Sequence, residues 1–410
     1  MVDNSIEDKV LVREFDDCRD IQVVGKLEKN CEIGGSNNNN NKGASIFTNM
    51  LGHPLCRIRF FPLHLMLVAE LRENGELVGV IRGCIKHVGT KFGEKHVKLG
   101  CILGLRVSPR HRRMGIGLKL VRAMEEWLVS NGADYTFLAT EKNNVASTNL
   151  FTAKCNYRNL SSLVIFVQPI SFAMEGNDLS HQDIKVEKLN IEQAISLYNN
   201  KLRGNKDIYL TDIDEILKEK LSLGTWVSYF KQDEWLGLHN NNEDTNISTT
   251  STPSSWIMFS IWNSCETYKI HIKKSHPLKF FHETLSHARD KIFPCLKIPL
   301  FGSLEKPFGF LFLYGLHGEG ERLGELMKST WSFASRLAEN VKDCKVIITE
   351  LGVSDPLIEH VPHETSMSRI DDLWYLKKVV NRSSSTMDEE INDLAVMGEL
   401  GNVVVDPRDF

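Results

Sequence analysis

No apolar run in this 410-residue chain approaches the length needed to cross a bilayer. Its first residues, Met1–Lys9, are polar and acidic, unlike a secretory leader. No Cys-x-x-Cys pair occurs among the nine cysteines, which are odd in number, scattered, and mostly set in apolar runs, as Cys84, Cys101 and Cys155 are. A disulfide frame and a metal site are therefore not expected, and reduced thiols in a reducing compartment are. A large charge of one sign is also missing: the formal net charge is -4, which argues against a direct nucleic-acid partner. Hydrophobic residues at 42% and charged residues at 25% are the proportions of an ordinary globular protein. The length allows two domains with their own cores.

Periodicity predicts an alternating order of strands and helices. Val10–Phe15 alternates as a strand does, and Asp20–Glu32 has helical spacing with Ile21, Val24 and Leu27 on one face. Residues 34–43 hold five consecutive asparagines and predict a loop with nothing to bury. Ser45–Leu51 predicts a short helix. Leu65–Leu71 and Leu77–Ile85 read as strands joined through Asn74-Gly75, a hairpin signal. His87–Lys98 reads as a charged loop and Leu99–Val107 as the next strand. Ile116–Ser130 is the strongest helix, with Leu118, Val121, Met124 and Leu128 on one face, Glu125 a polar member of it, and Asn131-Gly132 as a stop. Tyr135–Thr140 predicts a strand, Asn143–Cys155 a helix and Ser161–Val167 a strand. The expected class is α/β (α+β), a mixed sheet with helices on both faces.

Residues 169–183 are polar and predict a linker. Beyond it, strands are expected at Ile184–Leu189, Thr225–Phe230, Ser255–Trp262, Phe308–Leu316, Lys345–Leu351 and Leu373–Val379, helices at Glu192–Leu202, Asp212–Leu221 and Glu321–Asn340, and a polar loop at Asn240–Ser255. The strand–glycine–helix–strand block around Gly318-Glu319-Gly320 has the shape of an earlier block in the chain, but carries His317, Glu319 and Glu321, and acidic groups at a helix start repel an anion. The second half, 184–380, is thus expected to be a degenerate copy, with 381–410 as a C-terminal tail. A single unrelated α/β domain is the alternative.

The earlier block is Arg112-Arg113-Met114-Gly115-Ile116-Gly117, placed between the strand ending at Val107 and the helix from Ile116. The first turn of a helix leaves N–H donors without partners and carries partial positive charge, so it suits a phosphate. Gly115 and Gly117 let phosphate oxygens approach the main chain, and Arg112 and Arg113 add charge-assisted donors. Arg106, Arg110, His111, Lys119 and Arg122 make the surroundings cationic. The Gly-x-Gly-x-x-Gly dinucleotide fingerprint does not fit, because residue 120 is Leu. Pro109–Arg113 also has the look of a short nuclear-targeting basic cluster, but the phosphate reading uses the same residues.

Val107-x-Pro109 with Arg112-x-x-Gly115-x-Gly117, followed by Asn144, Leu150-Phe151 and Asn156-Tyr157, resembles motifs A and B of the GNAT N-acetyltransferase superfamily over residues 8–168. Leu51-Gly52, Pro54-Leu55-Cys56-Arg57-Ile58-Arg59, Ile81-Arg82-Gly83-Cys84-Ile85-Lys86 and the terminal Val405-Asp406-Pro407-Arg408-Asp409-Phe410 are similar to the plant hookless family of probable N-acetyltransferases. The resemblance implies acetyl coenzyme A as co-substrate, a role in ethylene- and auxin-dependent growth, and a nuclear or cytoplasmic site. It implies backbone contacts from Leu105 and Val107, beside Arg106, to the pantetheine arm, pyrophosphate binding by the N–H groups of Arg113–Gly117 (Met114 and Ile116 included), and Asn144 near the thioester end.

Acetyl transfer to an amine needs a base and a group to receive the leaving thiolate. Glu141, at the end of a strand facing the slot, is the candidate base, or else a solvated or helix-capping carboxylate. Glu70 and Glu125 are further carboxylates without an assignment. The motif B position that often carries a Tyr acid is Phe151 here. Tyr157 is a candidate substitute, or else a packing residue, as is Tyr135; the thiolate can also leave unaided. Two functions remain: an acetyltransferase acting on a primary amine, a protein lysine or N-terminus, or an acetyl coenzyme A-binding regulatory protein with little turnover whose second half binds a protein partner.

Overall fold

The computed structural model describes residues 9–31, 46–91, 93–170, 183–233, 235, 252–274, 306–362, 367–379, 394 and 400–410. The asparagine run, residues 240–251 of the expected polar loop, most of the expected linker and nearly all of 380–399 lie outside these residues.

In the first half the elements are β1 (Val10–Glu14), α1 (Asp17–Asn30), β2 (Ile46–Gly52), β3 (Leu63–Leu71), β4 (Leu77–Thr90), β5 (Gly93–Val107), α2 (Ile116–Ser130), β6 (Tyr135–Glu141), α3 (Val145–Asn149, continued by a π-helical turn at Leu150–Lys154) and β7 (Arg158–Pro169). In the second they are β8 (Ile184–Lys188), α4 (Ile191–Asn205), β9 (Ile208–Leu210), α5 (Ile213–Lys218), β10 (Ser222–Phe230), β11 (Trp256–Asn263), β12 (Tyr268–Lys274), β13 (Gly309–Glu319), α6 (Leu323–Glu339), β14 (Cys344–Gly352) and β15 (Ser368–Lys378).

Two expectations are corrected. The segment expected as a short helix at Ser45–Leu51 is strand β2, because Tyr268–Lys274 supplies an antiparallel partner from Tyr268↔Gly52 to Lys274↔Ile46. The charged loop expected at His87–Lys98 is instead the far end of the β4–β5 hairpin, with His87 opposite Lys98 and Val88 opposite Val97. His87 and Lys98 are exposed there while Val88 is buried, so the charges sit on the solvated side of a regular ladder.

Twelve strands follow one another as β1-β3-β4-β5-β6-β15-β7-β14-β13-β11-β10-β8 in a single sheet, with β9 added beside β4. Within each half the strand order is the same: four antiparallel neighbours, then a parallel partner reached through a helix. That crossover is β5–α2–β6 in the first half and β13–α6–β14 in the second. The last strands are exchanged. β15 lies between β6 and β7, and β7 pairs with β14. Helices α2 and α6 cover one face, each over its own half; α1, α4, α5 and the C-terminal Val403–Val405 cover the other.

Helix α2 buries Ile116, Leu120, Val121, Met124 and Leu128. It approaches the sheet closely at Gly83, where a Cβ would stand 2.2 Å from Met124 Sδ. Glu125, the polar member of its face, is answered by Lys377 of β15 at 2.9 Å.

Candidate active site

Strands β5 and β6 pair in parallel only from Leu99↔Tyr135 to Ile102↔Leu138. Both continue, β5 to Val107 and β6 to Glu141, without further pairing to each other, so the sheet opens into a V. The divergence begins at a bulge: the β4 register slips between Arg82↔Leu103 and Val80↔Arg106, and Gly104 takes φ +58°. A bulge adds a residue and bends its strand, which turns Leu105–Val107 away from β6. Peptide groups on the open side of such a strand are available to the amides of an extended ligand.

The loop after β5 leads directly to α2. A 3-10 turn at Pro109–His111 is followed by Arg112 in extended conformation, Arg113 at φ 66° and Gly115 at φ 80°. Gly115 is the N-cap and no side chain caps the helix. By contrast, α1 is capped by Asp16 and α4 by a reciprocal Asn190–Gln193 capping box. The first donors of α2 are thus left for an anion. Arg112, Arg113, Met114 and Gly115 are exposed, while Ile116 anchors the turn in the core. A Cβ on Gly117 would lie 3.6 Å from Leu150, 3.7 Å from Val107 and 3.9 Å from Leu105, so Gly117 faces the mouth of the V between β5 and the segment after β6. These features fit a pyrophosphate-bearing ligand whose arm runs along β5. A separate groove of about 700 Å³ beside α4 and β9, lined by His96, Tyr198 and Arg203 among others, is no part of this slot.

The remaining candidates divide between the two faces of the sheet. Glu141 ends β6 on the same side as Phe137; burial raises its pKa, and the nearby Arg106 pulls the other way. Arg106 donates to Leu105 O at 2.9 Å. Asn144 is the N-cap of α3, its side chain accepting from Ser147 N at 3.2 Å. Tyr157 lies on the α2 side, buried, 5.4 Å edge-on to Phe151, with Lys377 over its ring and Glu125 nearby; burial pushes its pKa well above that of a free phenol. The structure therefore puts Tyr157 and Glu141 on opposite faces. Tyr135 is core. Glu70 is held by Arg13 at 2.9 Å and Arg19 at 2.8 Å, on the far side of β4 from the V.

A family model described as the acetyltransferase (GNAT) family matches residues 50–157. The probable N-acetyltransferase HLS1 of Arabidopsis thaliana is 37% identical over 98% of this chain and 100% of its own length. The chain belongs to the GNAT acetyltransferase family. An acetyl transferase of Oryza sativa subsp. japonica is 30% identical over 100% of both chains. Two solved structures share the fold. One is Saccharomyces cerevisiae N-myristoyltransferase with bound myristoyl-CoA and inhibitors, at TM-score 0.51, 12% identity, 97% of this chain and 87% of that one. The other is a GCN5-related glucosamine N-acetyltransferase region of a fungal multi-domain β-N-acetylglucosaminidase, at TM-score 0.50, 14% identity, 90% of this chain and 38% of that one. As a GNAT family member the chain is a transferase that draws on an acyl coenzyme A.

In this GNAT chain the second crossover keeps the backbone, the strands again parting after Leu313↔Thr349, but its loop is not free. Gly315 in β13 repeats the positive φ of Gly104, at 62°. The loop before α6 is filled by its own chain: Ser255 Oγ accepts the Arg322 N–H at 3.3 Å, and a Cβ on Gly320 would strike Ser254 O at 2.3 Å. Arg322 is paired with Glu325 at 2.7 Å.

Sequence reasoning missed the groups that the second half brings towards Glu141. Asp372 of β15 stands directly opposite Glu141 in the ladder. Glu350 of β14 is on the same face, and both are buried. Nothing in local spacing marks either residue, because each reaches this place only through the exchanged strands.

Proposed function

We propose that the chain transfers an acetyl group from acetyl coenzyme A to a primary amine of a protein, a lysine side chain or an N-terminus. The observation that carries this reading is the uncapped start of α2 at Gly115, set beside the V between β5 and β6. When bound, acetyl coenzyme A supplies the acyl group as an activated thioester. The N–H groups of Arg113–Gly117, with the Arg112 and Arg113 side chains, hold the pyrophosphate. The backbone of Leu105 and Val107 orients the arm, and the Leu105 amide is placed to stabilise negative charge developing on the acyl oxygen. Glu141, on the face opposite α2, takes part in removing the amine proton. The α6 loop, filled by Ser254 and Ser255, takes no phosphate, which fits a duplicated fold with one working cofactor site. The sequence resemblance to the plant hookless family extends this proposal to a role in hormone-dependent growth, in the nucleus or cytoplasm.

A second reading has one observation in its favour. Phe151 is buried and carries no hydroxyl, so no side chain at that position can protonate the leaving thiolate. In that reading the chain binds acetyl coenzyme A and regulates a partner through its second half, with little turnover. Calorimetry with acetyl coenzyme A, followed by label transfer to histones and a peptide panel, separates the two. Binding with transfer is expected, and binding without transfer selects the regulatory reading. Gly115→Glu puts bulk and like charge into the phosphate cradle and is expected to abolish binding; unchanged affinity removes the loop from the site.

A further inference from the structure

We propose that Asp372 and Glu350, both contributed by the second half, form the seat for the acceptor's ammonium group and receive its proton; this rests on the amine-transfer reading above. The placement follows from the ladder. Asp372 pairs with Glu141 across β6–β15 and with Leu163 across β15–β7. Glu350 pairs with Ile165 across β14–β7. Leu163 and Ile165 are alternate residues of one strand, so both carboxyl groups rise on one face, either side of β7. That is the face of Glu141, with Asp372 one strand and Glu350 three strands beyond the β6 wall of the V.

Among the described residues the pair has no ion-pair partner of its own. Glu350 is 5% exposed, and its Oε1 has no hydrogen-bond partner. A buried carboxyl left in that state costs free energy unless a donor arrives or it stays protonated. The cation facing the group, Lys86 of β4, is already bound to Asp409 at 2.5 Å. Arg408 is taken by Asp406 and Asp212, each at 2.7 Å, and Arg106 of β5 lies towards Glu141. An entering ammonium supplies both the missing donors and the missing charge. Burial raises Asp372 to about 7, with Glu350 hydrogen bonding against that rise and the Glu141 charge adding to it. Burial, then the Asp372 charge, raises Glu350 well above the carboxylate range. Two buried carboxyl groups that lean across β7 to bond to each other share a proton, and a base near neutrality suits proton transfer from an amine.

The step balances as follows. The acceptor ammonium gives one proton to the carboxylate pair, and its nitrogen lone pair attacks the thioester carbonyl. The C–N bond forms and the C–S bond breaks. The second nitrogen proton ends on the departing thiolate, and the pair returns its proton to water.

The test uses the full-length chain. Wild type, Asp372→Asn, Glu350→Gln and Asp372→Glu are assayed with acetyl coenzyme A and a lysine peptide panel, with cofactor affinity by calorimetry as the check on folding. Asp372→Asn and Glu350→Gln are expected to lower kcat/KM by about 100-fold, leave cofactor affinity within about twofold, and remove the acid limb of the pH profile. Asp372→Glu is expected to recover at least about tenfold of the loss. Without cofactor, carbon NMR of the carboxyl groups is expected to show a titration near neutrality that moves down when propylamine is added. Variants that keep the wild-type rate and acid limb overturn the proposal and leave the transfer reading intact. A wild type that binds acetyl coenzyme A and transfers nothing overturns the transfer reading. In that case an amine-induced shift of the carboxyl titration still supports the ammonium seat, and no shift overturns it too.

Discussion

Gly117 shows how much a single position decides at the mouth of the V. A side chain there would extend between Leu105, Val107 and Leu150 at ordinary contact distances, so the fold accommodates it while the slot does not. Gly117→Val is expected to weaken acyl coenzyme A binding at least tenfold, about 1.4 kcal/mol, with little change in the thermal midpoint. Unchanged affinity by calorimetry would remove Gly117 from the site. The turn that forms the proposed cofactor loop is legible from sequence because Gly, Pro and Arg at fixed offsets dictate local backbone and local charge. Glu141 was legible as the end of a strand, but its neighbours were not. Asp372 looks from sequence like any surface carboxylate beside Asp371. Tyr157 offers a hydroxyl, but the residue packs just before β7 beneath α2, near Glu125 and on the other face from Glu141.

At the scale of elements, α2 was read with its correct ends because periodicity, the glycine start and the Asn131-Gly132 stop agree, and no distant residue is needed to define them. Its packing is tight at Met124 against Gly83, and Met124→Ala is expected to cost about 2–5 kcal/mol, seen as a lowered midpoint in denaturant with unchanged slope. A cost below about 0.5 kcal/mol would mean the contact is not formed as described. Strand β2 was misread because short apolar segments suit helix and strand alike, and the choice falls to whichever partner arrives. Charge hid the β4–β5 extension for a related reason: only a ladder shows that His87 and Lys98 share its wet side. The expected helix at 143–155 is an α-turn followed by a π-turn. This widening sits beside the slot, and spacing at 3.6 cannot reveal it.

Over the whole molecule the exchanged strands tie the halves together. Residues 9–170 expressed alone lack β15 between β6 and β7, leaving two unpaired edges through the core. Each half alone is expected to give no cooperative unfolding transition, whereas co-expression with 183–410 is expected to restore one; a cooperatively folding first half would overturn this. The C-terminal residues reinforce the joint: Leu400 N donates to Leu160 O and Val404 N to Ile208 O, each at 2.9 Å, and Phe410 stacks on Phe312 at 4.2 Å. Sequence alone determined the alternation of elements, the strand–glycine–helix turn that carries the proposed cofactor loop, and the family resemblance, since these depend on neighbours within a few turns of chain. Only the tertiary structure decided which strands share the sheet's centre, which glutamate and aspartate stand beside Glu141, and that the second half's loop is filled by Ser254 and Ser255. Pairing across hundreds of residues is set by burying two amphipathic halves against each other, and no local pattern encodes that partner choice.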